Sequence, residues 1–281
     1  MVSIMAYTGY DPPFPQGSPC ASSAIDLTQV PIPTDGPPHI LCTFVLAFAN
    51  DVNGDGNFEP QWNIDHFTPE NIAGVKAAIP TVNFAVSLGG ANASWPGNSD
   101  PAWTRNAVRS ITDIMHTYGL AGVDVDYEND LDDTFVPVMS SLMPQIQPAF
   151  WSLAPFTGTL ASYLDLYDAA AEVVKPVINF QAYSMETEDS DAYVQQYTDI
   201  TNDPRVTSHG GAVVGLGIDT NTADPRGMQY PAIADFYFSH MTNGLGTPNG
   251  LFDLAMVWSI EDSCRNGYVV EETLSGPPPS S

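Results

Sequence analysis

Positive charge is scarce in this chain: seven Lys and Arg stand against 33 Asp and Glu, a formal net charge of −26 over 281 residues. That imbalance repels nucleic acid, anionic membranes and polyphosphates at ordinary ionic strength, so a neutral partner fits better. Cysteine is scarce too. Cys20, Cys42 and Cys264 are too few and too dispersed for a disulfide framework or a zinc ribbon. One disulfide at most is available: Cys42 lies in an apolar run and reads as a buried thiol, while Cys20 and Cys264 pair only if the fold joins them. No apolar run reaches the length of a membrane span. The start, MVSIMAYTGYD, lacks a basic region and a long apolar stretch, so it reads as a first strand and not as a secretory signal. The expectation is a monomer with no nucleic-acid or membrane partner, intracellular or a processed secreted form.

Other signals are missing as well. No glycine-rich phosphate loop follows the first strand, where AYTGYDPPFP is rich in proline, and no nucleophile elbow occurs, which argues against nucleotide and esterase chemistry. The five histidines, His39, His66, His116, His209 and His240, show no metal-ligand spacing and no carboxylate partner in sequence, so they read as structural. The segment DVNGDGNFEPQW, Asp51 to Trp62, matches the first half of a calcium loop through Asp51, Asn53, Asp55 and Gly56. Its twelfth position is Trp62, where a calcium loop needs a bidentate Glu, so a turn-rich loop is the better reading. No metal and no cofactor is expected.

What is present is a packed globular composition, 43% hydrophobic and 14% charged, in a length that suits one large domain. Eight short apolar runs recur at residues 2–7, 40–49, 81–90, 119–128, 150–156, 177–185, 212–219 and 252–260. Near-continuous apolarity is what parallel strands need when both of their faces are covered. Helices fit between the runs: one opened by Pro69, one opened by Asp100-Pro101, and LASYLDLYDAAAEVV running to Lys175 before Pro176 stops it. Eight strands alternating with helices predict an α/β fold, a single-domain (β/α)8 TIM barrel, which typically takes about 250 residues. The barrel is expected over residues 1–270, with a Pro/Ser-rich, disordered tail at 271–281. A doubly wound open sheet is the alternative, disfavoured by the missing phosphate loop.

The fourth run ends in GVDVDYE, which puts Asp124, Asp126 and Glu128 on alternate positions. In a strand these share one face over about 13 Å, with Val123, Val125 and Tyr127 on the other. If the valines pack on outer helices, the acids project into the barrel towards its C-terminal mouth. Buried like charges raise one another's pKa and force partial protonation. The pattern therefore reads as a catalytic strand, with Glu128 nearest the mouth as a raised-pKa acid and Asp124 and Asp126 sharing a proton. The competing reading is a solvated acidic edge.

These residues resemble glycoside hydrolase family 18, the chitinase and endo-β-N-acetylglucosaminidase group. SLGG, Ser87 to Gly90, is similar to that family's third-strand signature, and GVDVDYE to its fourth-strand DGxDxDxE signature, whose first Asp is Ala121 here. Within the family the chain resembles the narbonin-like branch, through VLAFAN and the spacing on to SLGG, then SLAPF and VWSIEDS. That branch includes storage or accessory barrels. The resemblance implies a glycosidase of chitin or another N-acetylglucosamine-containing oligosaccharide, acting by a substrate-assisted retaining mechanism. It implies Glu128 as the acid, Asp126 orienting the 2-acetamido group, Asp124 sharing its proton, and Tyr183 hydrogen-bonding the acetamido group. Gln181 shares the face of Tyr183, and Ser184 stands where plant chitinases of this family usually have Asn. Trp258 corresponds to the aromatic floor beneath the sugar. Tyr7, Phe48, Gly89 and Gly90 complete the expected substrate-binding set. Trp62, Trp95 and Trp103, in or just after loops, are candidates for outer subsites or for loop anchors. The alternative function is a catalytically silent chitinase-like protein used for storage, carbohydrate binding or inhibition.

Overall fold

The eight apolar runs become eight parallel strands: β1 (Ser3–Thr8), β2 (Cys42–Asn50), β4 (Val82–Ser94), β5 (Gly122–Asn129), β6 (Phe150–Leu153), β7 (Val177–Phe180), β8 (Val214–Asp219) and β9 (Leu254–Trp258). A two-residue strand, β3 (Glu59–Pro60), pairs antiparallel to β2. The pairing order β1-β9-β8-β7-β6-β5-β4-β2 closes through β1 on β2, so the chain is a (β/α)8 barrel. The computed structural model describes residues 3–9, 17–32, 42–96, 100–129, 131–185, 190–220, 254–268 and 271–272.

Helices lie between the strands: α1 (Pro69–Ala78), α2 (Pro101–Tyr118), α3 (Phe135–Leu142), α4 (Leu160–Ala170), α5 (Ser190–Asn202), α6 (Pro204–Thr207) and α7 (Ile260–Arg265). Two helix starts follow directly from sequence chemistry. Thr68 caps α1 by accepting from the Asn71 N–H, and Asp100 caps α2 by accepting from Ala102, each with proline at the first helical turn. The α4 helix ends at Ala170 and not at Lys175. Val173 and Val174 both turn back onto the Ala170 carbonyl, and Lys175 is left-handed at φ 38°. Pro176 disfavours a helical residue before it, so the turn forms early.

Two apolar layers divide the strands by alternation. Val123, Val125 and Tyr127 pack outward with Trp103, Ile111 and Phe135. Met5, Val45, Ala85, Leu254 and Met256 fill the barrel interior, with Tyr7, Phe48, Tyr183 and Trp258 above them. This alternation sets the acids of β5 on the inner face. Among the described residues no helix is long and apolar enough to cross a membrane.

The loop tryptophans are anchors and do not form outer subsites: Trp62, Trp95 and Trp103 are each at most 4% exposed. Trp95 donates its indole N–H to Thr134 Oγ1 at 2.9 Å, and Trp103 donates to Asp51 Oδ2 at 2.7 Å. Asp51 also accepts from the Asp55 and Gly56 N–H groups at 3.1 and 2.9 Å. Both of its oxygens are thus engaged by donors inside the loop, as expected of a turn-rich connection. His209 departs from the sequence expectation, because it has two carboxylate partners: Nε2 faces Asp168 at 2.9 Å and Nδ1 faces Glu172 at 3.0 Å. The fold brings those helix and loop positions together across about 40 residues of sequence. Glu271, placed at the start of the tail by composition, is buried and accepts from Ser263 Oγ at 2.6 Å. Residues 273–281 of the expected tail lie outside the described residues.

The barrel does join Cys20 to Cys264, with a Cα separation of 5.5 Å across 244 residues of sequence, while Cys42 is a buried free thiol. The bond fastens the segment after β1 to α7, across the seam where first and last strands meet. Closing so long a loop removes much denatured-state entropy, and reduction is expected to cost about 5 kcal/mol of stability. Denaturant unfolding with and without reductant checks this, and an unchanged midpoint would refute it.

Candidate active site

The alternating pattern of GVDVDYE carries Asp124 and Asp126 into the barrel, 0% and 3% exposed, and leaves Glu128 half-buried at the mouth. Three hydroxyls surround Asp124. Tyr7 Oη and Ser87 Oγ donate to Oδ2 at 2.8 and 2.7 Å, and Ser152 Oγ donates to Oδ1. They come from β1, β4 and β6, so closure of the barrel assembles them. Burial pushes the Asp124 carboxyl up to about 6, with the three hydroxyls holding it back. Asp126 is pushed well above the usual carboxylate range by burial, then by the charges of Glu128 and Asp124. Both carboxyls are therefore biased towards protonation, Asp124 less so because three hydroxyls donate to it.

A second chain of contacts runs along the other wall. Tyr183 Oη donates to Gln181 Oε1 at 2.7 Å. Gln181 Nε2 donates to Asp126 Oδ1 at 2.7 Å and to the Ala154 carbonyl at 2.9 Å, with Glu128 Oε1 at 3.4 Å. Asp126 Oδ1 is therefore an acceptor. Gln181 follows β7 directly, and Tyr183 lies in the turn of 3₁₀ helix after it, Ala182–Met185. Ser184 pins this turn by donating to the Gln181 carbonyl at 2.7 Å and accepting from the Thr157 N–H at 2.9 Å.

Above the acids lies an aromatic corner. The half-buried Trp258 ring stacks on Phe48 at 5.6 Å and 25°, and meets Tyr7 at 5.5 Å. Phe48 sits where the β2–β4 register slips between Ala47 and Ala49. Such a bulge re-aims a side chain, here onto Trp258. Gly90 makes room for it: a Cβ there would lie 2.7 Å from the Phe48 ring. Gly89, at φ 110°, would clash with the Asp126 carbonyl at 2.7 Å if it carried a Cβ. The two glycines of SLGG thus let β4 approach β5 and the aromatic corner closely.

All ten residues singled out from sequence gather at this end of the barrel or directly beneath it. Ser152 was not among them. An inward serine in the strand beside three acids was the available signal, but its use depends on barrel closure. Chemically, the site offers an acceptor-rich wall, two buried carboxyls biased towards protonation, a mouth carboxylate and an aromatic face. That combination suits a neutral, hydroxylated ligand with apolar C–H faces.

No protein-family model matches the chain. It is 29% identical to Chitinase 1 of Tulipa saxatilis subsp. bakeri over 265 residues, covering 87% of this chain and 79% of that protein. A shorter stretch of 97 residues, 30% of the chain and 34% of the relative, is 35% identical to a RuBisCO-associated protein of Glycine max. Among solved structures, a family 18 chitinase from Crocus vernus matches with a TM-score of 0.74 at 24% identity, over 96% of both chains. The catalytic domain of a family GH18 chitinase from the fern Peteris ryukyuensis matches at 0.73 and 22% identity, over 96% of this chain and 97% of that one. The protein is a (β/α)8 barrel, the fold it shares with these chitinase structures. Over most of its length its sequence is similar to the tulip chitinase, and its fold is similar to those of the two family 18 chitinases.

Proposed function

We propose that this protein is an active glycosidase that cleaves the β-1,4 bond next to N-acetylglucosamine, as in chitin, by a substrate-assisted retaining mechanism. One observation carries the reading: the hydrogen-bonded wall from Tyr183 through Gln181 to Asp126 and Glu128, set beneath the Trp258 face. On this reading a sugar rests on Trp258, and Glu128 gives its proton to the glycosidic oxygen. The 2-acetamido carbonyl oxygen attacks the anomeric carbon as the C–O bond breaks. Asp126 faces the acetamide N–H, and passing its own proton to Asp124 leaves a carboxylate beside the developing positive charge. Tyr183 holds the acetamido group in line. Water then opens the cyclic intermediate, with Glu128 taking a proton back.

Ala121 motivates the alternative, a catalytically silent chitinase-like protein, because the resemblance implies an Asp there. In the structure Ala121 precedes β5 at the barrel's opposite end, where its N–H donates to the Phe84 carbonyl and its carbonyl accepts from Ala149. Seven steps along the strand separate it from Glu128, about 23 Å. The departure therefore leaves the mouth unaltered, which favours the enzyme. Incubation with a fluorogenic chitobioside is the direct test, and release of the fluorophore is the expected result. No turnover of chito-oligosaccharides or N-glycans by folded protein would overturn the proposal and leave the silent reading.

A further inference from the structure

The last residue of β8 carries a carboxylate that the sequence motifs do not touch. Along β8, a Cβ on Gly215 would meet Asn179 and Leu254, and one on Gly217 would meet Met256 and the Gln181 backbone. Leu216 and Ile218 pack in the outer layer. Asp219 therefore belongs to the inward-facing set, at the C-terminal end of its strand and half-buried. Its register partner on β9 is Trp258, about 4.8 Å away between neighbouring strands. In the ring of strands β8 stands three places from β5, so Asp219 and Glu128 occupy different walls of the same mouth.

The strand end is fixed rigidly. Thr220 donates from its N–H to the Trp258 carbonyl at 2.7 Å and from Oγ1 to the Ser259 carbonyl at 2.9 Å. Its own carbonyl accepts from Asn266 Nδ2 at 2.7 Å. Asp219 also lies near enough to Tyr183 for its charge to disfavour the phenolate, alongside burial and the charges of Asp126 and Glu128. A carboxylate at the mouth, on the strand paired with that of Trp258, stands where the hydroxyls of a ligand on the aromatic face would meet it.

We propose that Asp219 is a substrate-binding residue, its carboxylate accepting hydrogen bonds from hydroxyls of the sugar seated on Trp258. A carboxylate is an acceptor only, and a pyranose ring edge presents hydroxyl donors while its C–H face covers the indole. Glu128 and Asp219 then hold the sugar from different walls, one at the scissile oxygen and one at the ring edge. The proposal rests on the glycosidase reading.

The test is calorimetric binding of the N-acetylglucosamine tetramer to E128Q, E128Q/D219A and E128Q/D219N, with melting midpoints recorded for each. Loss of a hydrogen bond to a charged group is expected to weaken binding by E128Q/D219A roughly 10-fold or more, and that by E128Q/D219N less. In the background with Glu128 intact, D219A is expected to raise KM while kcat changes only a few-fold. Where the alanine variant does not fold, the asparagine variant decides. Tetramer affinity equal to that of E128Q in the folded Asp219 variants overturns this role and leaves the glycosidase reading standing. No tetramer binding by E128Q itself overturns both.

Discussion

Replacing Glu128 with Gln is expected to lower kcat on chito-oligosaccharides by roughly 10²- to 10⁴-fold, the range typical of general acid–base catalysis, while the affinity for substrate changes little. The substitution keeps the side chain's size and leaves an oxygen for the neighbouring Gln181 Nε2, 3.4 Å away in the native protein. It removes the one proton that the proposed mechanism delivers to the leaving oxygen. Asp126 cannot substitute, because it lies two residues deeper, is 3% exposed and is tied to Gln181. An interaction realised only in the transition state shows in kcat and not in binding. Steady-state kinetics on the fluorogenic chitobioside, paired with calorimetry on the tetramer, separates the two quantities. Turnover by E128Q within a few-fold of wild type would place the acid elsewhere and sink the assignment.

The position of Glu128 illustrates what the sequence makes legible. A strand's two-residue period turns GVDVDYE into a statement about faces, and the outward packing of Val123, Val125 and Tyr127 confirms which face is which. The eight strands were readable for the same reason, since burial on both sides leaves an apolar signature that needs no tertiary information. Helix α3 was not, because FVPVMSSL is apolar on most sides and has Pro137 in its first turn, so neither periodicity nor a cap announces it. Ser152 and Asp219 were missed for a different reason. A lone serine or aspartate at a strand end has an ordinary solvent-facing explanation, and only closure of the ring shows what it faces. The Cys20–Cys264 bond and the His209 pair likewise depend on which distant segments the barrel brings together. Trp62, Trp95 and Trp103 are the converse case: aromatic residues near loops read as ligand platforms, yet their rings are spent on holding the loops down.

Thermal stability is expected to fall as pH rises from about 5 to 8, because the barrel's last segment buries two carboxyls where no cation meets them among the described residues. Glu261, at the start of α7, accepts from Thr8 Oγ1 and the Gly9 N–H at 2.8 and 2.7 Å through Oε1, while Oε2 has no partner. Glu271 accepts from Ser263 through Oε2, and its Oε1 has no partner. Both are 0% exposed, and burial pushes each carboxyl up to about 7. Their surroundings give little relief. The ionisable neighbours are the Tyr268 hydroxyl, the Cys42 thiol and Glu272, and the nearby Arg265 is engaged with Asp262. A folded-state pKa above the unfolded one means that the native state holds extra protons, so this stabilisation is complete below the unfolded value and is lost as pH climbs through about 7. A rise from 4.5 to about 7 corresponds to about 3 kcal/mol per glutamate as an order of magnitude. Asp124 at about 6 adds in the same direction. At the acid end the trend reverses, because Asp203, held low by Arg205, loses its contribution once protonated. Maximal stability is therefore expected near pH 5, with a melting midpoint lower by several degrees at pH 8. Relief of charge repulsion on acidification pushes the same way, so the discriminating measurement is the slope in E261Q/E271Q. Each glutamine carries the neutral shape of the acid, and the variant is expected to lose much of the fall between pH 5 and 8 while melting higher than wild type at pH 8. A variant slope equal to that of the wild type would show that the two buried acids do not set the pH dependence.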